Sequence, residues 1–149
     1  MANTYSQLLY HVTFSTKRRV PVLDADHRTE LFQYAWGIHK NHHCHLYRIG
    51  GVADHIHVLT HLPTTLSVAD YVRELKTGTS KWIKEQNIFQ KFDNWQDGYG
   101  VFTESYRHKD VLIEYIKRQE EHHQQESYLD EYRRLLHEAG IVFDEKYLT

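Results

Sequence analysis

The chain has 149 residues, with 18 Lys and Arg against 20 Asp and Glu, a net charge of −2, 13 His and 40% hydrophobic content. That length provides one core and one domain, 1–149, with no room for a regulatory domain, and the near-neutral charge argues against gripping duplex DNA along a whole surface. No apolar run is long enough to span a bilayer, no secretory N-terminal pattern is present, and the lone Cys44 makes neither an intrachain disulfide nor a cysteine zinc cage, so a cytoplasmic protein is expected.

Tyr5 to Ser15 is rich in β-branched and aromatic residues and predicts a strand with Tyr10, Val12 and Phe14 on one face. Lys17 to Pro21 forms a basic exit loop. Leu31, Tyr34, Ala35 and Ile38 recur at helical spacing and predict a first helix from about Asp26 to His42. His45 to Val52 and Asp54 to Leu62 follow as a hairpin with its turn at Gly50-Gly51.

Ser67 suits the N-cap of a second helix, in which Val68, Val72, Leu75, Thr79 and Trp82 make an apolar stripe. Arg73, Lys76, Ser80 and Lys84 make a second stripe, facing outward. A last strand falls near Val101 to Thr103. A third helix, about His108 to Gln124, carries Val111, Leu112, Tyr115, Ile116 and Gln119 on one face. Ser127 with Asp130 resembles a capping box that opens a fourth helix, stopped by Gly140, and the tail Ile141 to Thr149 is expected to dock as an extended segment. The order βαββαβ followed by helices predicts an α+β fold: a ferredoxin-like antiparallel sheet with helices on one face plus C-terminal helices.

Two sequence features carry chemistry. In His55-Ile56-His57 the side chains alternate, so both imidazoles point to one face of the strand, about 7 Å apart along the backbone. Such a pair is common in buried strands without any ligand, and gains meaning only with partners. Tyr115 and Gln119 stand at i and i+4 of a helix, which presents a hydroxyl nucleophile and an amide oxygen together. Tyr115 alone reads as a core aromatic, but Gln119 breaks the apolar stripe and must satisfy its amide. Two imidazoles and an amide oxygen suit Mg²⁺ or Mn²⁺, with water and phosphate completing the shell.

These residues, with Tyr10-His11-Val12-Thr13-Phe14-Ser15-Thr16-Lys17-Arg18-Arg19, Asp54-His55-Ile56-His57-Val58-Leu59, Leu75-Lys76-Thr77-Gly78-Thr79-Ser80-Lys81-Trp82, Trp95-Gln96-Asp97-Gly98-Tyr99-Gly100 and the Glu114 to His123 segment, resemble the HUH family. Within it the match is to the single-tyrosine transposases of small bacterial insertion sequences. The resemblance implies metal-dependent nicking and rejoining of single-stranded DNA at hairpin ends, with Tyr115 as nucleophile, His55, His57 and Gln119 as metal ligands, and a 5′-phosphotyrosine intermediate. It implies either Mg²⁺ or Mn²⁺, an antiparallel core sheet, strand transfer without ATP or another nucleotide cofactor, and a homodimer whose tyrosine helices serve each other's histidines.

Lys17, Arg18, Arg19, Arg73, Lys76, Lys81 and Lys84 are the DNA-contact candidates, although a basic helix face is often only a solvated one. Acid concentrates elsewhere, at Glu120-Glu121 and Asp130-Glu131. His122-His123 reads as a solvated helix end, and His42-His43-Cys44-His45 as a chance cluster. Two alternatives stand beside the transposase reading. One is a non-catalytic hairpin-binding domain in which Tyr115 is merely packed. The other is a metal-independent two-histidine RNA phosphoesterase using His11-Val12-Thr13, whose required second His-x-Thr matches only His27-Arg28-Thr29.

Overall fold

A computed structural model describes residues 3–148. The expected domain, 1–149, runs past these residues at both ends. Four strands, β1 (Leu9–Ser15), β2 (His45–Gly51), β3 (His55–His61) and β4 (Gly100–Glu104), form one antiparallel sheet in the order β2-β3-β1-β4. Helices α1 (Ala25–Asn41) and α2 (Val68–Gln86) join them in the βαββαβ order, and α3 (Lys109–Lys117), α4 (Gln119–His122) and α5 (Tyr128–Glu138) follow. The fold is therefore the expected α+β one.

Strand alternation divides the sheet into two unlike faces. Val12, Phe14, Ile56 and Val58 point into the main core, where they meet Leu31 and Ala35 of α1 and Val72, Leu75 and Ile83 of α2. His11, Thr13, His55 and His57 point the other way, beneath the C-terminal helices, and every one of them is buried. Asp24 caps α1, Ser67 caps α2 and Ser127 caps α5, each side chain accepting from a backbone N–H in the first turn. The two serine caps stand where the sequence placed them.

Glycines bring two helices onto the polar face. Gly50 lies opposite His57 in the β2–β3 ladder, and a Cβ there would come within 2.8 Å of the Ile116 carbonyl oxygen. α3 therefore rests directly on the β2 backbone. At Gly100 of β4, on the other edge of the sheet, a Cβ would meet Cε1 of Tyr132 at 2.8 Å, so the absent side chain makes room for α5 on the same polar face.

Four local expectations need correction. Gly50 and Gly51 are paired in β2 rather than forming the hairpin turn, which runs through Val52, Ala53 and Asp54. The first strand starts at Leu9, not Tyr5, because β3 and β4 offer ladder partners only from there. The third helix is broken at Arg118 (φ −94°, ψ 19°), giving α3 and a short α4. No Gly or Pro marks that break, which lets Gln119 enter the buried site. The tail holds by polar contacts and a 3-10 turn at Glu145–Tyr147, with Arg133 donating to Glu145 and Arg19 to the Leu148 carbonyl, while Val142 is exposed. Thr149 lies outside the described residues.

Candidate active site and metal centre

β3 holds His55 and His57 side by side with ring centroids 5.1 Å apart, both fully buried. Each ring is anchored through Nδ1 and turns Nε2 inward. Nδ1 of His55 lies 2.7 Å from Asp54 Oδ1, and Nδ1 of His57 lies 2.8 Å from Nε2 of His11. Such outer partners fix the tautomer and aim of metal-binding imidazoles. His55 Nε2 faces Gln119 Oε1 at 3.0 Å, so Gln119, delivered by α4, reaches the strand pair.

Tyr115 arrives from α3 with its ring centroid 5.9 Å from that of His57. The four residues singled out in the sequence are thus brought together within a single chain. Beside the tyrosine, a cavity of about 760 Å³ opens to solvent between Val111, Glu114, Arg118 and His122.

Glu131 of α5 occupies the centre of the site, although the sequence places it only in the acidic pair Asp130-Glu131, apart from the candidate ligands. It is completely buried. Its Oε1 lies 2.8 Å from His57 Nε2, 3.0 Å from His123 Nε2 and 3.6 Å from His55 Nε2. Its Oε2 accepts from the Tyr115 hydroxyl and, at 3.2 Å, from Gln119 Nε2. His123, expected in solvent, is therefore part of the site as well. A signal existed: Glu131 stands among Tyr128, Tyr132, Leu135 and Leu136, and interrupts that apolar stripe as Gln119 interrupts the one before it.

The surrounding α5 residues complete the chemistry. Tyr128 stacks on His55 at 4.3 Å, with its hydroxyl 3.1 Å from Thr13 Oγ1, and seals that side from water. Arg134 donates to the Tyr115 hydroxyl oxygen at 2.8 Å and also pairs with Glu126.

Burial and charge set the protonation states. Burial depresses His57 to about 4 against the opposing pull of Glu131, and depresses His11 to about 3 with help from His57. Burial by itself would raise Glu131, but hydrogen bonds from His123, His57 and Tyr115 outweigh it and hold the carboxyl well below its usual range. Burial and then the Glu131 charge push the Tyr115 phenol above its ordinary value, with Arg134 acting in the opposite sense. Burial works against a charged His123, yet its hydrogen bond and charge interaction with Glu131 leave it raised.

The basic candidates gather in part. Lys17, Arg18 and Arg19 form a 3-10 turn after β1, where the Arg18 amide donates to Gln96 Oε1 at 2.7 Å. Lys76 reaches the same segment from α2, donating to the carbonyls of Gln96 at 2.7 Å and Gly98 at 2.6 Å. Arg73 and Lys81 are exposed on α2 and paired with acids of that helix, and Lys84 is exposed near its end. α2 packs on the sheet face opposite the histidines. His27, needed by the phosphoesterase alternative, sits in the exposed first turn of α1 beside Glu30 and Phe89.

Residues 4–119 match the family described as "Transposase IS200 like". The chain belongs to that family of HUH single-tyrosine transposases. Among solved structures, a candidate transposase from Deinococcus radiodurans R1 is similar at 21% identity and a TM-score of 0.62, over 80% of this chain and 95% of that one. A REP-associated tyrosine transposase bound to a REP hairpin is similar at 16% identity and a TM-score of 0.59, over 83% of this chain and 73% of that one. No curated protein matches the sequence significantly. Among the described residues no helix is long and apolar enough to cross a membrane.

Proposed function

We propose that this transposase nicks and rejoins single-stranded DNA at hairpin-bearing ends, with Tyr115 as the nucleophile and a divalent ion, Mg²⁺ or Mn²⁺, held by His55, His57 and Gln119. The observation that carries this reading is convergence: two inward Nε2 atoms, the Gln119 amide oxygen and the Tyr115 hydroxyl surround one buried point. His55 Nε2 facing an amide oxygen and a carboxylate oxygen supports a cation there, since lone pairs aimed at one another need a positive centre between them. Both imidazoles carry the outer anchors expected of ligands.

A bound ion would supply charge neutralisation on a non-bridging oxygen of the scissile phosphate. The protein does the rest. The Tyr115 hydroxyl, oriented by Glu131 Oε2, gives up its proton to solvent in the adjoining cavity as Oη attacks phosphorus in line with the bond to the 3′-oxygen. The P–O3′ bond breaks, the leaving 3′-oxygen takes up a proton, and the 5′ side of the nick remains on Tyr115 as a phosphotyrosine. Arg134 Nη2 stabilises the phenolate as it forms, and again when a 3′-hydroxyl reverses the attack. One phosphodiester is exchanged for another, so no nucleotide cofactor is consumed.

The hairpin is assigned to Lys17, Arg18, Arg19 and Lys76 around Gln96 to Gly98, with Arg73, Lys81 and Lys84 extending that basic surface along α2. The hairpin bound by the structural neighbour supports this class of ligand. A base-paired scissile strand has to melt before entering the buried site, which favours single strands. The reading includes one catalytic domain, 1–149, a cytoplasmic location with nucleoid association during activity, and the homodimer implied by the resemblance. Tyr115 already meets His57 of its own chain, so exchange of helices is not required to complete the site.

The test is incubation of wild type and Tyr115→Phe with labelled hairpin-bearing single strands and Mn²⁺, read on a denaturing gel. A covalent adduct from wild type alone, with hairpin binding retained in both, is expected. Absence of any adduct from wild type, with binding intact, would instead establish the hairpin-binding alternative, and an active monomer by light scattering would remove the dimer.

A further inference from the structure

We infer that the metal centre extends beyond the family's own segment: Glu131 and His123 join His55 and His57 as direct ligands, making a three-imidazole, one-carboxylate site that selects a transition metal over Mg²⁺. The inference deepens the proposed function and rests on its claim that a divalent ion binds the histidine pair. Both added residues lie past residue 119, where the family match ends.

The geometry is that of a ligand set. One nitrogen from each of the three imidazoles and one Glu131 oxygen all lie within 4.8 Å of one another. Metal–nitrogen and metal–oxygen bonds of about 2.0–2.2 Å place ligand atoms of a tetrahedral site roughly 3.4 Å apart, a spacing that falls between the shortest contact here, 2.8 Å, and the 4.8 Å span of the cluster. The three imidazoles present the same atom, Nε2, toward the same oxygen, Oε1. Without a cation, His57 and His123 already use both lone pairs of that oxygen, and Nε2 of His55, 3.6 Å away, faces it without a bond. A cation turns the same convergence into bonds.

Two of the rings are also tied on the far side, His55 by Asp54 and His57 by His11. The carboxylate divides its oxygens: Oε1 faces the imidazoles, and Oε2 remains for the Tyr115 hydroxyl and Gln119. Charge fits as well, since a divalent ion and one carboxylate leave a net +1 to meet a phosphodiester of −1. Three nitrogen donors favour Zn²⁺ and Mn²⁺, whereas Mg²⁺ prefers oxygen ligands and keeps several waters.

The experiment is calorimetric titration of the EDTA-stripped full chain with Zn²⁺, Mn²⁺ and Mg²⁺, for wild type, His57→Ala, Glu131→Gln and His123→Ala. Circular dichroism shows that each variant folds, and visible spectra of the Co²⁺ form report coordination number. Wild type is expected to bind Zn²⁺ and Mn²⁺ in preference to Mg²⁺ and to show the intense bands of four-coordinate cobalt, which weaken to a five-coordinate pattern when a single strand adds a phosphate oxygen. Glu131→Gln and His123→Ala should each lose at least about tenfold in Zn²⁺ affinity, the lower end of what even outer-partner mutations cost. Loss of binding in His57→Ala with unchanged or tighter binding in Glu131→Gln and His123→Ala would overturn the inference while leaving the histidine-pair site standing. If wild type binds none of the three ions, the metal-dependent reading falls with it.

Discussion

The hydroxyl of Tyr115, on α3, donates its hydrogen bond to Oε2 of Glu131, a buried carboxylate two helices further on, in α5. Tyr115 is therefore held by a residue outside the matched family segment. Glu131 keeps the phenol protonated at rest and fixes the direction of its hydroxyl. Arg134 opposes it at the same oxygen.

Removing the inward imidazoles separates chemistry from binding. His55→Ala or His57→Ala is expected to abolish adduct formation and leave hairpin affinity largely intact, because neither side chain reaches the protein surface. Gln119→Ala should be milder, since water replaces a neutral ligand. Adduct yields on a denaturing gel and hairpin affinity by gel shift check this, and full cleavage by both histidine variants would refute ligation.

Arg134→Gln should slow adduct formation about 10- to 100-fold, equivalent to a charge-assisted hydrogen bond of roughly 1.5–3 kcal/mol. The pH dependence of the single-turnover rate should move upward, because the guanidinium acts to lower the phenol. An unchanged rate and pH profile would show that its pairing with Glu126 is the whole of its role.

Gly50→Ala places a methyl group within 2.8 Å of the Ile116 carbonyl oxygen, which is backbone and has little freedom to yield. A loss of about 1–3 kcal/mol is expected from overpacking, together with displacement of α3 and hence of Tyr115. Urea unfolding and adduct rate should fall together. Wild-type behaviour in both would contradict the close approach of α3 to β2.

Acid should destabilise the fold through His39. This residue is buried between the Ala35 carbonyl, 2.7 Å from Nδ1, and the Tyr71 hydroxyl, 2.6 Å from Nε2. Burial lowers it to about 4, against the pull of that carbonyl. The unfolded chain protonates near 6.5 while the folded one does not, so stability present above pH 6.5 is lost as pH falls toward 4, by roughly 3 kcal/mol at most. Urea midpoints between pH 7 and 4 measure the slope, and His39→Gln should flatten part of it. An equal slope in the variant would assign the effect elsewhere.

Much of the fold is legible in the residue pattern because local rules govern it. Period-two alternation in His55-Ile56-His57 puts both rings on one face wherever the strand lies, and Tyr115 with Gln119 share a helical face despite the break at Arg118. Ser67 and Ser127 mark helix starts because their oxygens satisfy orphan amides. The hairpin turn was misplaced because glycine also serves close backbone approach, and only the position of α3 distinguishes that use from a turn.

Sequence by itself determined the four-strand, two-helix frame, the inward histidine pair and the helical face that Tyr115 shares with Gln119. Tertiary structure alone decided that α5 folds back across the sheet, that Glu131 and His123 enter the site, and that the site closes within one chain. The physical reason is that residues joined by a loop acquire a common purpose only through packing. A charged residue on an amphipathic helix takes its meaning from the surface which that helix covers, and here Gly100 admits α5 to the polar face of the sheet.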